Sequence, residues 1–221
     1  MSNVESPPEV THEARRERIT RRVKVAGSTA GALLGLTAIV LSIFALAGLL
    51  VLPLTAVAVI TVGAALLVES ASVASRPRIH HGEATRAIIF GGVGADTITA
   101  MAAVTLGVLS LIGIAPLTLL PVSILVLGAG LLFSGATALV ERVRAAYESP
   151  RAPDIADDAA SAAAGAHMLV GAGSLVLGIL AVLSTVPLLL TLIATLSLGI
   201  SLLLSGVALG TRTLPPVQPA A

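Results

Sequence analysis

Three long stretches of this chain contain no Asp, Glu, Lys or Arg: residues 25–68, 97–140 and 159–211. Apolar residues fill each stretch almost continuously, and a proline interrupts each one, at Pro53, Pro116 and Pro187. A bilayer core about 30 Å thick needs about 20 helical residues, so each stretch is long enough for two membrane spans and a tight turn. The pattern therefore predicts six membrane helices arranged as three helical hairpins.

The three prolines set the expected start of every second helix, because proline fits the first turn of a helix, where its missing N–H is no loss. Pro121 predicts a bend in the fourth helix, since it removes one backbone hydrogen bond. The expected turns are residues 47–52, 113–115 and 184–186. The expected helices are residues 25–50, 53–74, 87–113, 116–144, 159–184 and 187–210.

The second and third hairpins repeat one another, because residues 107–135 match residues 178–206 without a gap at an offset of 71 residues. The matching pairs are Gly107/Gly178, Leu109/Leu180, Pro116/Pro187, Leu117/Leu188, Gly128/Gly199, Leu131/Leu202, Leu132/Leu203, Ser134/Ser205 and Gly135/Gly206. A fainter first copy carries Pro53 and Gly63 at the positions of Pro116 and Gly128, with a shift of a few residues around its turn. The sequence thus predicts an all-α polytopic membrane protein of three tandem helical-hairpin repeats.

The domain boundaries follow from these repeats. We predict hairpin repeats over residues 25–75, 87–146 and 159–210. The remaining segments are a polar, basic N-tail (1–24), a connector (76–86), an acidic connector (147–158) and a disordered C-tail (211–221).

Composition excludes a soluble globular protein. Hydrophobic residues make up 56% of the chain and charged residues 11%, whereas soluble domains carry about 25% charged residues. The chain has no cysteine, which leaves no disulfide framework or thiolate metal site.

Charge distribution predicts the orientation. The 13 basic and 12 acidic residues lie towards the tails and connectors, and the expected turns hold none. By the positive-inside rule, a multi-pass protein of the bacterial inner membrane with both termini in the cytoplasm is expected. The uncharged turns leave re-entrant hairpins, which stop inside the far leaflet, as an alternative.

Six basic residues adjoin the first span: Arg15, Arg16, Arg18, Arg21, Arg22 and Lys24. They are expected to anchor the topology, and contact with anionic lipid is the alternative. No nucleic-acid partner is expected. Small residues recur at spacings of four, at Gly31/Gly35, Gly130/Ser134/Ala138 and Ser197/Ser201/Ser205, and predict close helix packing within a subunit, or between copies in a homo-oligomer.

Three ionisable residues are expected at one depth near the cytoplasmic boundary, one from each repeat. Asp96 lies 20 residues before Pro116, and His167 lies 20 before Pro187. Their hairpin partners at that depth are Ser134 and Ser205, and Glu69 corresponds to Ser134 in the first copy. If these groups face inward, they form a polar layer that passes a proton or holds a cation, because ionisable groups inside a membrane bundle are costly and often functional. The alternative is that they mark the lipid–water interface.

No enzyme, cofactor or metal site is expected. The chain has no phosphate loop or nucleophile elbow, and Gly91-Gly92-Val93-Gly94 follows no strand, which argues against a dinucleotide site. His80 and His81 could join a metal site with Glu69 or Asp96, but a loop could equally present either histidine to water.

The repeated hairpin, with an early glycine, a proline at the turn and LG…LL.SG in the second leg, resembles the HdeD family of bacterial acid-resistance membrane proteins. The resemblance covers about residues 26–210 and rests on Gly107, Leu109, Pro116, Gly128, Leu131, Leu132, Ser134 and Gly135, with their counterparts 71 residues later. It implies an inner-membrane protein that supports stress or acid tolerance, and it supplies no catalytic residues. Two alternatives stay open: a proton or small-cation transporter that uses the polar layer, and a scaffold that recruits a cytoplasmic partner through its N-tail.

Overall fold

The computed structural model describes residues 29–74, 83–148 and 155–211, and within them the chain is entirely helical apart from three short turns. Six helices are long and apolar enough to cross a membrane. The predicted fold class, a six-span helical membrane protein, is confirmed. The helices are α1 (Thr29–Leu46 in its described part), α2 (Val51–Ala74), α3 (Glu83–Leu111), α4 (Pro116–Glu148), α5 (Ile155–Leu183) and α6 (Pro187–Thr211).

Three helices extend further into the predicted connectors than the charge pattern indicated. α3 begins at Glu83 rather than residue 87, α4 ends at Glu148 rather than residue 144, and α5 begins at Ile155 rather than residue 159. Charged residues do not end a helix once it has left the apolar core of the bilayer, and Glu, Arg and Ala are strong helix formers. α4 is also continuous through Pro121, which is fully buried.

The first two turns are copies of each other. Gly48 and Gly113 adopt the left-handed conformation, with φ of 88° and 93°, and the residues two positions later, Leu50 and Ala115, have φ of 41° and 39°. The amides of Gly48 and Gly113 each donate to a carbonyl three residues earlier, at 3.0 Å. Because Gly48 ends α1, that helix stops at Leu46, four residues before the predicted end. The shared turn fixes an offset of 65 residues between the first two repeats.

The second helix of each hairpin lies at the centre of the bundle. Half or nearly half of the span residues are buried in α2, α4 and α6 (50%, 44% and 50%), against 28%, 22% and 22% in α1, α3 and α5. α2, α4 and α6 contact one another, whereas α3 packs between α2 and α4, and α5 between α4 and α6. The molecule is therefore an inner set of three helices with the first helices on the outside.

Glycines at equivalent positions close this arrangement into a ring. A Cβ at Gly63 of α2 would lie 3.0 Å from the Ala100 carbonyl oxygen of α3. Gly128 of α4 meets the Gly171 carbonyl of α5 in the same way, at 2.9 Å, and Gly199 of α6 meets the Gly35 carbonyl of α1 at 3.1 Å. Each inner helix thus packs on the first helix of the following repeat, and the last inner helix packs on the first helix of the chain. The three hairpins form a closed, pseudo-threefold ring.

Along each inner helix, the inward-facing residues follow one another at alternating spacings of four and three. Equivalent residues of the three helices lie at the same depth and form layers. In α2 these residues are Thr55, Val59, Val62, Leu66 and Glu69. The counterparts are Leu120, Ile124, Leu127, Leu131 and Ser134 in α4, and Thr191, Thr195, Leu198, Leu202 and Ser205 in α6. The residues of the first four layers are at most 4% exposed. This 3.5-residue period is the packing period of helices around a common axis.

Candidate functional site

Six equivalent positions form one layer near the ends of the membrane spans, on the side opposite the three turns. The offsets of 65 and 71 residues make Glu69, Ser134 and Ser205 equivalent on the inner helices, and Gly31, Asp96 and His167 equivalent on the outer helices. All six lie inside the candidate membrane spans. We call these residues the polar layer.

Asp96 of α3 is paired with α4. The Ser134 side chain faces its carboxyl group and interacts with it. The Ser134 hydroxyl also donates to the Leu131 carbonyl at 3.2 Å, so it can turn between two acceptors. Asp96 Oδ1 is buried and has no hydrogen-bond partner within residues 29–74, 83–148 and 155–211. The layer therefore contains a buried acceptor oxygen that a proton or cation would satisfy.

His167 of α5 makes the equivalent contact in the third repeat. Its Nε2 lies 3.3 Å from Ser205 Oγ. The Ser205 hydroxyl donates to the Ser201 carbonyl at 2.8 Å. The outer-to-inner pairing of Asp96 with Ser134 is thus repeated by His167 with Ser205.

Glu69 joins the other two ionisable groups. It lies close enough to His167 for their charges to attract, and close enough to Asp96 for their charges to repel. Glu69, Asp96 and His167 are each partly buried. The structure thus brings together the three ionisable residues singled out in the sequence, each from a different repeat.

The polar layer is closed on the side of the hairpin turns. The adjoining layer consists of Leu66, Leu131 and Leu202, with exposures of 4%, 2% and 3%. The next layer holds Val62, Leu127 and Leu198, each fully buried. Two apolar layers therefore separate the ionisable groups from the far half of the axis.

The prolines and small residues have structural positions. Pro116 and Pro187 begin α4 and α6 as predicted, whereas α2 begins at Val51, two residues before Pro53. Gly35 is buried against α6. Ser197 instead donates to the Ile193 carbonyl of its own helix at 2.9 Å.

Three predicted features lie outside the described residues: His80 and His81 of the metal-site alternative, the basic N-tail with its lipid and partner contacts, and the disordered C-tail beyond residue 211. Within residues 29–74, 83–148 and 155–211, no group of three or more His, Asp and Glu side chains is arranged to hold a metal ion.

Comparison with protein-family models, curated proteins and solved structures found no match. The fold, the ring closure and the polar layer are accordingly the observations on which a function can be based.

Sequence reasoning missed two features of the site. Gly31 belongs to the layer, although the sequence marked it only as part of a small-residue stripe. The two apolar layers beneath Glu69 were also missed. Each membrane span is apolar on every face, so its sequence does not mark which positions face inward. The signal that could have found them is the four-three spacing from Thr55 to Glu69, read together with both repeat offsets.

Proposed function

We propose that this protein carries protons across the bacterial inner membrane and that the polar layer is its proton-binding site. The observation that supports this function best is the meeting of Glu69, Asp96 and His167, one residue from each hairpin, inside a membrane-spanning bundle. Ionisable side chains at such positions are costly to keep and commonly belong to proton or ion pathways. A layer that only marked the lipid–water boundary would not need to bring groups from three hairpins together.

A proton suits this layer better than a divalent metal ion. Divalent cations take several oxygen ligands at once, whereas a proton needs one carboxyl oxygen. Protonation of Glu69 or Asp96 removes the repulsion between the two carboxylates. A small monovalent cation bound between them would offset the same repulsion, and it is the alternative ligand.

The apolar layers suggest a carrier rather than an open pore. In this conformation the polar layer lies near the ends of the membrane spans, and the leucine layer closes the axis behind it. We propose that the structure is the state in which the layer faces the cytoplasm, with both termini on that side as the positive-inside rule predicts. Release to the other side then requires the three inner helices to separate at the leucine layer.

Reconstitution of the purified full chain in liposomes tests the proposed function. With a membrane potential that is negative inside, set by potassium and valinomycin, a trapped pH-sensitive dye should report proton uptake well above that of empty liposomes. Replacing external sodium with choline separates the two ligands, since only sodium transport depends on sodium. If liposomes that contain the protein take up protons and sodium no faster than empty liposomes, the proposal is rejected.

We also propose that proton movement by this protein supports survival under acid or other envelope stress. The support is the resemblance to the HdeD family, and the glycines that carry that resemblance lie at helix contacts. Gly128 meets Gly171, Gly135 meets Met168, and Gly206 meets Ala32. These residues govern the shared architecture, so the shared physiological role requires its own test.

A deletion strain provides that test. Loss of the gene is expected to lower survival after an acid challenge, and the wild-type gene should restore it. Complementation with the Glu69→Gln variant separates the two proposals, since a stress role that depends on proton movement is not restored by that variant. Equal survival of the deletion strain and its parent would remove the stress role and leave proton transport to be judged in liposomes.

A further inference from the structure

The polar layer lacks a side chain at one of its six positions. In the second and third hairpins the outer-helix position holds a residue that reaches across to the inner helix, as Asp96 does to Ser134 and His167 to Ser205. In the first hairpin this position is Gly31. The inner-helix residue opposite it is Glu69, so the first hairpin presents an ionisable group beside a residue that has no side chain.

Independent contacts place Gly31 at the level of the layer. A Cβ at Gly206 of α6 would lie 2.7 Å from the backbone nitrogen of Ala32. α1 and α6 run in opposite directions, so at a rise of about 1.5 Å per residue this contact places Gly31 and Ser205 within about 3 Å of each other in depth. This agrees with the repeat offsets that make Gly31 equivalent to Asp96.

Within the residues that the structure describes, the space beside Gly31 is open. A Cβ built on Gly31 meets none of their heavy atoms within 4 Å, whereas one turn further along α1 a Cβ on Gly35 would lie 2.8 Å from the backbone nitrogen of Leu203. α1 is therefore tightly packed just below the polar layer and leaves room at the layer itself. Asp96 and His167 each point towards the inner helix of their own hairpin. Because position 31 is equivalent to them, a side chain there would point towards α2.

We propose that the gap at Gly31 is the lateral opening through which hydronium, or a small monovalent cation, reaches the Glu69 carboxyl group. The leucine layer blocks approach along the axis from the side of the turns. In the other two hairpins the equivalent gap is filled by Asp96 and His167. The identity of the ion rests on the proposed function. The opening itself can be tested by labelling Glu69, without a measurement of transport.

Carbodiimide labelling measures access to the Glu69 carboxyl group. The natural chain has no cysteine, so Gly31→Cys gives a single thiol that can be modified after the protein has folded. A bulky methanethiosulfonate reagent attached there should slow formation of the ethyl(dimethylaminopropyl)carbodiimide adduct at Glu69 by about tenfold. Peptide mass spectrometry would assign the adduct to Glu69, and the unmodified Gly31→Cys protein gives the reference rate.

Gly165→Cys is the matched control. Gly165 lies two residues before His167 on α5, and a Cβ built there also meets no atom of the described part of the chain within 4 Å. The same thiol modification at position 165 should leave the Glu69 labelling rate unchanged. Gly31→Ala should fold and label at the wild-type rate, since one methyl group fits the open space.

Two results would overturn the opening: no adduct at Glu69 in unmodified protein, or equal labelling rates with and without the bulky group at position 31. Neither result depends on flux. Blocked labelling in a protein that moves no protons would support the opening and reject the transport function. Unchanged labelling in a protein that does move them would reject the opening alone.

Discussion

Replacing Glu69 with Gln is expected to reduce the proton flux of the reconstituted protein by at least about tenfold. The amide keeps the size and hydrogen-bonding capacity of the side chain but cannot take up a proton at working pH. It also removes the charge that attracts His167 and repels Asp96. The measurement is the initial rate of dye response in liposomes that contain equal amounts of folded protein.

Glu148→Gln is the control for this loss. It makes the same chemical change at the end of α4, outside the membrane span that ends at Val140, and its flux should equal that of the wild type. Asp96→Asn should also reduce flux, because Asp96 Oδ1 is a buried acceptor that has no hydrogen-bond partner among the described residues. Wild-type flux in Glu69→Gln would show that the polar layer is not on the proton path.

Gly128→Leu is expected to destabilise the bundle by about 3 kcal/mol. A Cβ at this position would lie 2.7 Å from the backbone nitrogen of Leu175 and 2.9 Å from the Gly171 carbonyl oxygen. These contacts are with backbone atoms, so no side-chain rotation relieves them, and α4 and α5 must separate. The loss of close packing is serious in lipid, where no hydrophobic effect holds helices together. Thermal unfolding of the detergent-solubilised protein measures the change.

Gly173→Leu on the facing helix α5 is the matched variant. A Cβ built on Gly173 meets nothing within 4 Å among residues 29–74, 83–148 and 155–211, so the melting temperature of this variant should be close to that of the wild type. Gly63→Leu and Gly199→Leu should resemble Gly128→Leu, because the ring uses these three positions in the same way. A Gly128→Leu protein that melts like Gly173→Leu would contradict the close helix contact.

The helices and their number were predictable because the bilayer makes length and apolarity decisive. Residues 25–68, 97–140 and 159–211 had to contain pairs of spans once their lack of charge was recognised. The ends were less predictable. α3 and α5 begin four residues earlier than expected, because helix formation outside the apolar core depends on propensity rather than on charge.

The common depth of Glu69, Asp96 and His167 was also predictable, because distance from a turn determines depth in a hairpin. Their convergence was not, because it depends on the direction in which each helix faces. A span that is apolar on every side gives no such direction. The burial of the inward-facing residues and the contacts of Gly63, Gly128 and Gly199 establish in the structure which face turns inward.

The ring closure between α6 and α1 gives the molecule the form that three identical hairpins would adopt as a homotrimer. In such a trimer, equivalent positions would hold identical residues, so a glutamate at position 69 would place three carboxylates around the axis, where they would repel one another. Fusion of the hairpins into a single polypeptide removes that restriction. One inner-helix position can then be a glutamate while its two counterparts are serines. The three equivalent outer-helix positions can likewise become glycine, aspartate and histidine. The polar layer therefore has a different residue pattern in each hairpin, which a homotrimer of identical hairpins could not have.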